Sequence, residues 1–249
     1  MNATEKLFRA ELKKIKRLRM VWVGYLSILF SFIITLAQQY QMNRGSISWA
    51  NMVDVFVYNN TTLFLPFSIA LIGGYIIDRE YAQDTLKNML VIPVYPNDLV
   101  KAKIALLFVL AAQLAFFEIT LSLLSGLFLG FDGVAFWTVC RYAFRIFLSN
   151  MCVSIGILPV ILLCGRTKGK YIWGSILSML IGVSGIFVIS GGLSNWHPVT
   201  ASFSITTDMY HAINMLDTAK SIIAIILYAL ISVMLYHVVY KKNCTEIQL

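Results

Sequence analysis

Residues 78–103 read DREYAQDTLKNMLVIPVYPNDLVKAK, the longest charged interruption on one side of an otherwise apolar chain. Asp78, Arg79 and Glu80 close one apolar segment. Asp84-Thr85-Leu86-Lys87 follow, then Pro93, Pro96 and a basic re-entry at Lys101 and Lys103. Thr85, Met89 and Ile92 share a face at helical spacing, with Leu86 and Leu90 beside it, so a short helix is predicted between the apolar segments. Pro93 limits it, because the residue before a proline is pushed away from helical geometry. Two readings stand at this point: a solvated connector between membrane spans, or a docking helix that meets a soluble partner.

The chain around this stretch is built for lipid. Hydrophobic residues make up 59% of the 249 and charged residues only 13%, against about a quarter charged in soluble domains. Apolar runs of spanning length override the usual length prior and predict a single membrane domain over residues 1–249. The net charge of +8 gathers beside the spans and forms no separate basic domain, which argues against nucleic acid as a partner. The basic start precedes an apolar run too long for a cleaved signal. Cys140, Cys152, Cys164 and Cys244 are too scattered for an external disulfide, a zinc site or a redox pair.

Residues 3–19 predict an amphipathic helix lying in the membrane surface. Phe8, Leu12, Ile15 and Leu18 recur at helical spacing, and seven basic residues stand against Glu5 and Glu11 before Met20. Such a face attracts anionic headgroups. Six spans follow, at about Met20–Gln38, Thr61–Ile77, Ile104–Leu129, Arg141–Cys164, Tyr171–Ser190 and Ser221–Tyr240. Residues 39–60, including Asp54, are predicted outside, as is 191–219 with a short helix near Asp208–Leu216. Asn59-Asn60-Thr61-Thr62 reads as the boundary between an outer loop and a helix. The small residues Gly174, Ser178, Gly182 and Gly185 invite close helix packing, within the chain or against a second copy.

Charge then orients the bundle. Sixteen of the twenty Lys and Arg residues fall on the side of 78–103, leaving Arg44, Arg141, Arg145 and Lys220 opposite. That bias predicts both termini in the cytosol.

Glu118 is the costly residue, because an ionised carboxylate within a span needs shielding, a partner or a proton. Ser122 and Ser125 share its helix face. Arg145 and Asn150 lie on the facing polar stripe of the fourth span with Ser149. At about 1.5 Å rise per residue, Glu118 matches the depth of Ser149, and Arg145 must reach inward to pair with it. Glu118, Ser122, Arg145 and Asn150 are therefore candidates for a translocation path, with a structural contact between spans as the alternative. His197, Asp208 and His211 lack a third ligand at workable spacing for a metal site. Gly169-Lys170 lacks the remainder of a phosphate-binding loop, and no nucleophile, acid/base or metal set converges at one face.

Arg79-Glu80, Asp84-Thr85-Leu86-Lys87, Leu90, Pro93 and Lys101-Ala102-Lys103 together resemble the signature loop of type-2 ABC-transporter permeases. The start, Ala10-Glu11-Leu12-Lys13-Lys14-Ile15-Lys16-Arg17, is similar to the small permeases of bacitracin resistance, lantibiotic immunity and peptide-toxin export. The chain departs from the pattern in carrying Asp84 where the family usually has Gly. The resemblance implies an all-α permease in the bacterial cytoplasmic membrane, with a coupling helix in 78–103. It implies two copies of a separate ATPase that bind ATP and magnesium, since this chain has no cofactor of its own. A second permease copy or a related permease is implied too. Arg79, Glu80, Asp84, Thr85, Leu86, Lys87, Leu90 and Pro93 would then be the ATPase-coupling residues of a non-catalytic subunit. The implied cargo is an amphipathic or antimicrobial peptide, with a lipid-like or small hydrophobic antibiotic as the alternative. An ion-coupled secondary carrier is the reading from outside the family.

Overall fold

The structure is a computed structural model that describes residues 3–15, 18–42, 48–82, 96–165, 167–206 and 217–238. In chain order the helices are α1 (Ala3–Ile15), α2 (Val21–Met42), α3 (Trp49–Asn59), α4 (Leu65–Ala82), α5 (Pro96–Phe128), α6 (Phe136–Cys164), α7 (Tyr171–Val188), α8 (Thr200–Thr206) and α9 (Thr218–Tyr236). A π-helical turn, Asn60–Phe64, joins α3 to α4 without a break. Among the described residues six helices are long and apolar enough to cross a membrane: α2, α3–α4 as one, α5, α6, α7 and α9. The protein is thus an all-α chain of six spans. Among the described residues the β component is a single bridge between Ser48 and Asp132.

The second span is the axis of the bundle. In its apolar 18-residue stretch 78% of the residues are buried, against 22% in that of the sixth, and it packs against the first, third, fourth and fifth spans. It also corrects the sequence reading. Residues 49–60 are not an outer loop but about three further turns of this span, which runs Trp49–Arg79. The reason lies in the spacing of Trp49, Met52, Val53, Phe56 and Val57, an i, i+3, i+4, i+7, i+8 stripe that is wholly buried. Asp54 masked that stripe. Its carboxylate is 9% exposed and accepts a hydrogen bond from the Tyr142 hydroxyl at 3.1 Å, so it is sheltered inside the bundle.

Other boundaries move for similar reasons. The third span starts at Pro96, where a proline suits a helix's first turn because that N–H has no partner to lose. The fourth starts at Phe136, one turn before Arg141. α4 runs on to Ala82, so both flanks of the 78–103 segment are helical. Asp84, Thr85, Leu86, Lys87, Leu90 and Pro93 lie outside the described residues, as does the helix expected near Asp208–Leu216. The short helix that is described in that region, α8, begins after His197-Pro198. In α1 the apolar stripe of Phe8, Leu12 and Ile15, continued by Leu18, packs against the protein core, with α1 lying on α5.

The small-residue stripe of α7 serves packing within the chain. A Cβ on Gly182 would stand 2.2 Å from the Thr62 carbonyl oxygen, and one on Gly174 would stand 2.6 Å from Cys164 Cβ. Only glycine lets the fifth span approach the π turn this closely.

Candidate functional site

Four consecutive polar residues in the second span point at four different neighbours. Asn59 Nδ2 donates to Thr35 Oγ1 at 3.0 Å and to Gln38 Oε1 at 2.7 Å, both on the first span. Asn60 Nδ2 donates to Glu118 Oε2 on the third span at 2.8 Å. The Thr61 hydroxyl lies 3.4 Å from that of Ser149 on the fourth. Thr62 Oγ1 donates to the Tyr58 carbonyl at 2.7 Å, and its own carbonyl is the group that Gly182 of the fifth span approaches. Successive residues of a helix lie about 100° apart, so four in a row face four sides of the span, and here they lead into the π turn. Its Leu65 N–H reaches back five residues to the Asn60 carbonyl, so one extra residue enters the turn and the helical phase slips. Asn59-Asn60-Thr61-Thr62 is accordingly the bundle's polar hub, not a loop boundary.

Glu118 is 0% exposed. Its Oε2 accepts from Asn60 and, at 2.9 Å, from Asn150 Nδ2 on the fourth span. Asn150 is itself held, since its Nδ2 also donates to the Ile146 carbonyl at 3.0 Å. Ser122 Oγ donates to the Glu118 carbonyl at 2.9 Å, and the Ser122 carbonyl accepts from Trp49 Nε1 at 2.8 Å. Glu118 and Asn150 thus meet, with Asn60, in one buried cluster, and Ser122 lies one turn along the Glu118 helix, bonded to its backbone. Arg145 does not join them: its guanidinium lies over the Tyr142 ring, 5.4 Å from the centroid. The sequence placed Glu118 opposite the right turn of the fourth span but missed Asn60, because that residue was assigned to a loop. Its signal was the apolar stripe running through 49–57.

A second group of polar contacts lies at the end of the bundle that carries the 78–103 segment. Asp78 is 5% exposed, and its Oδ1 accepts from the Gly169 N–H at 3.0 Å. Gly169 has φ +75°, a left-handed conformation that suits glycine, in the turn between the fourth and fifth spans. Lys103, 3% exposed, donates from Nζ to the Ile76 carbonyl. Both ends of the segment are therefore pinned to the second span or to the loop beside it. Arg79 lines a water-sized cleft with Glu11, Lys14, Ile15, Leu18, Tyr75 and Ile76. The side chain of Glu80, like the six coupling candidates from Asp84 to Pro93, is outside the described set.

Residues 7–185, from α1 to near the end of α7, match the family model described as ABC-2 family transporter protein. The chain belongs to the ABC-2 transporter family. It is also similar to the bacitracin transport permease protein BCRB of Bacillus licheniformis, with 26% identity over 160 residues that cover 63% of this chain and 76% of that protein. As an ABC-2 family member it is a transmembrane subunit of an ABC transporter, a multi-pass membrane protein. Such permeases are generally non-catalytic and imply an ABC ATPase partner and pairing of permeases.

Proposed function

We propose that this chain is the membrane subunit of an ATP-driven exporter of amphipathic or antimicrobial peptides, with both termini in the cytosol. Two ATPase copies bind ATP and magnesium beneath it, and a second permease, identical or related, completes the pathway. The observation that carries this reading is the pinning of the 78–103 segment at both ends. Asp78 ties the end of the second span to the loop between the fourth and fifth spans, and Lys103 ties the start of the third span back to the second. A push on residues 83–95 from below would move four spans together. Arg79, Glu80, Asp84, Thr85, Leu86, Lys87, Leu90 and Pro93 are then the ATPase-coupling residues. The charge bias along the sequence supports the orientation, and the similarity to a bacitracin transport permease supports an antibiotic peptide as cargo.

Within this reading Glu118, Ser122 and Asn150 form a polar seam that separates when the spans tilt. They are wholly or almost wholly buried in the chain, so they can face a substrate only after the second, third and fourth spans part. One observation favours a lipid-like or small hydrophobic antibiotic as the second reading. A surface groove of about 370 Å³ between the first, second and fifth spans is lined by Val23, Leu26, Ser27, Leu63, Phe64, Phe67 and Met179. It suits a hydrocarbon chain better than a charged peptide.

The test is gentle copurification followed by an ATP hydrolysis assay, with Glu80→Ala/Leu86→Asp as the comparison. An associated ATPase whose binding or stimulation falls in the double variant, with membrane insertion intact, supports the reading. Unchanged stimulation removes the docking role.

A further inference from the structure

The Glu118 cluster holds more oxygen than its donors can satisfy. Both Asn60 and Asn150 spend an Nδ2 hydrogen on the same carboxylate oxygen, Oε2. Glu118 Oε1, Asn60 Oδ1 and Asn150 Oδ1 are all buried without a hydrogen-bond partner among the described residues. Each Oδ1 shares a carbon with the Nδ2 that touches Glu118, so the three oxygens belong to one cluster. Flipping the Asn150 amide would not relieve it, because its Nδ2 is also committed to the Ile146 carbonyl at 3.0 Å. The residues stand at 0%, 0% and 1% exposure. About 15 Å of helix separates Glu118 from the Phe128 end of its span, at 1.5 Å per residue.

Neutral amides offset little of a buried carboxylate's desolvation, so the charge must be met by a proton or by a cation. A proton on Oε1 would satisfy at most one of the two amide oxygens, whereas a cation can draw on the whole set. Arg145 supplies no hydrogen bond here and stacks on Tyr142 instead. One carboxylate with neutral oxygens matches a monovalent ion, whereas calcium and magnesium sites draw on more carboxylates or retained water. The carboxylate's strong field favours the smaller alkali cation. The π turn that begins at Asn60 adds an independent reason, because π-bulges inside helices concentrate at functional sites.

We propose that Glu118, Asn60 and Asn150 form a binding site for a dehydrated sodium ion that clamps the second, third and fourth spans together. The site is independent of which cargo is exported. The full chain, in nanodiscs at about pH 8 and so well above the ordinary carboxylate range, is compared in sodium, potassium and N-methylglucamine chloride at equal ionic strength. Thermal unfolding and equilibrium binding of radioactive sodium are the readouts. The midpoint should rise saturably in sodium, with about one ion bound per chain, and Glu118→Gln should lose both effects. Asn60→Ser, which keeps the carboxylate, should shift half-saturation by about tenfold or more. The proposal is overturned if sodium and N-methylglucamine give the same midpoint without bound sodium, or if the response persists in Glu118→Gln. Should Glu118→Gln fail to insert, an unchanged sodium dependence in Asn60→Ser overturns it equally.

Discussion

Glu118 and Asp78 are carboxylates on neighbouring spans, at 0% and 5% exposure, and each is satisfied in a different way. Asp78 accepts from a backbone N–H in a turn that only connects two helices. Glu118 accepts from two side-chain amides on two other spans, and one of its oxygens remains unpartnered. The first contact fixes where a loop sits. The second holds the relative position of three helices, and it ends if any of them moves. On the mechanism proposed above, the buried polar groups at the loop end serve as a rigid handle, while those at the hub form a contact that the spans release together. A transporter needs both, and the difference can be tested.

The largest effect should come from wedging the hub apart. Gly182→Ala places a methyl where 2.2 Å separates the Cβ position from the Thr62 carbonyl oxygen, and backbone cannot rotate out of the way. The fifth span must back off the π turn, at a cost of about 3 kcal/mol or more. Thermal unfolding in detergent should show a large drop, while Gly192→Ala, where a Cβ meets nothing within 4 Å, should stay near the parent.

Next in size is Glu118→Leu in sodium-free buffer. It leaves Asn60 Nδ2 without its acceptor and Asn150 Nδ2 with the Ile146 carbonyl alone, and each orphaned buried N–H costs about 1–3 kcal/mol. Glu118→Gln keeps an acceptor oxygen and should lose less stability. Equal losses in the two variants would mean that the carboxylate's hydrogen bonds do not hold the three spans. Asp78→Ala, by contrast, should cost about 1 kcal/mol of stability yet reduce ATPase stimulation far more. Asp78→Asn, which retains an acceptor for Gly169, should restore most of that coupling. If Asp78→Ala couples normally, the contact is a loop anchor and no handle.

The contrast between hub and loop end also marks what could be read from the sequence. Six apolar runs, the small-residue stripe of α7 and the depth match between Glu118 and the Ser149-Asn150 turn were all present in periodicity and rise per residue. The π turn was not. A one-residue slip in phase leaves no compositional trace, and it shifts which sides the residues before and after the turn present to their neighbours. Asp54 hid the start of the second span, because a charge suggests water until a Tyr142 hydroxyl is seen beside it. Arg145 was a natural partner for Glu118 on charge alone. Its place over the Tyr142 ring, one turn back on the same helix, competes with that pairing, and charge alone does not decide between them.

The smallest effect is expected from a polar contact at the opposite end of the bundle. His197 sits between α7 and α8, with Nε2 3.0 Å from Ser184 Oγ and Nδ1 accepting from the Val199 and Thr200 N–H groups at 3.3 Å. An Nδ1 that accepts cannot carry a proton, so the arrangement belongs to the neutral ring. Burial lowers its pKa from the ordinary histidine value, against a smaller opposing effect of the Ile181 carbonyl. The unfolded chain therefore binds this proton more readily than the folded one. The stability that His197 contributes is complete above about pH 6.5 and is lost as pH falls from there toward the lower folded value, with a slope of at most about 1.4 kcal/mol per pH unit. His197→Gln should flatten that part of the stability profile measured by thermal unfolding, while leaving the sodium response of the hub in place. A profile that keeps its slope in the variant would assign the acid sensitivity to another group. Loss of the sodium response along with it would mean that the outer turn and the hub move as one unit, which the separate sets of hydrogen bonds argue against.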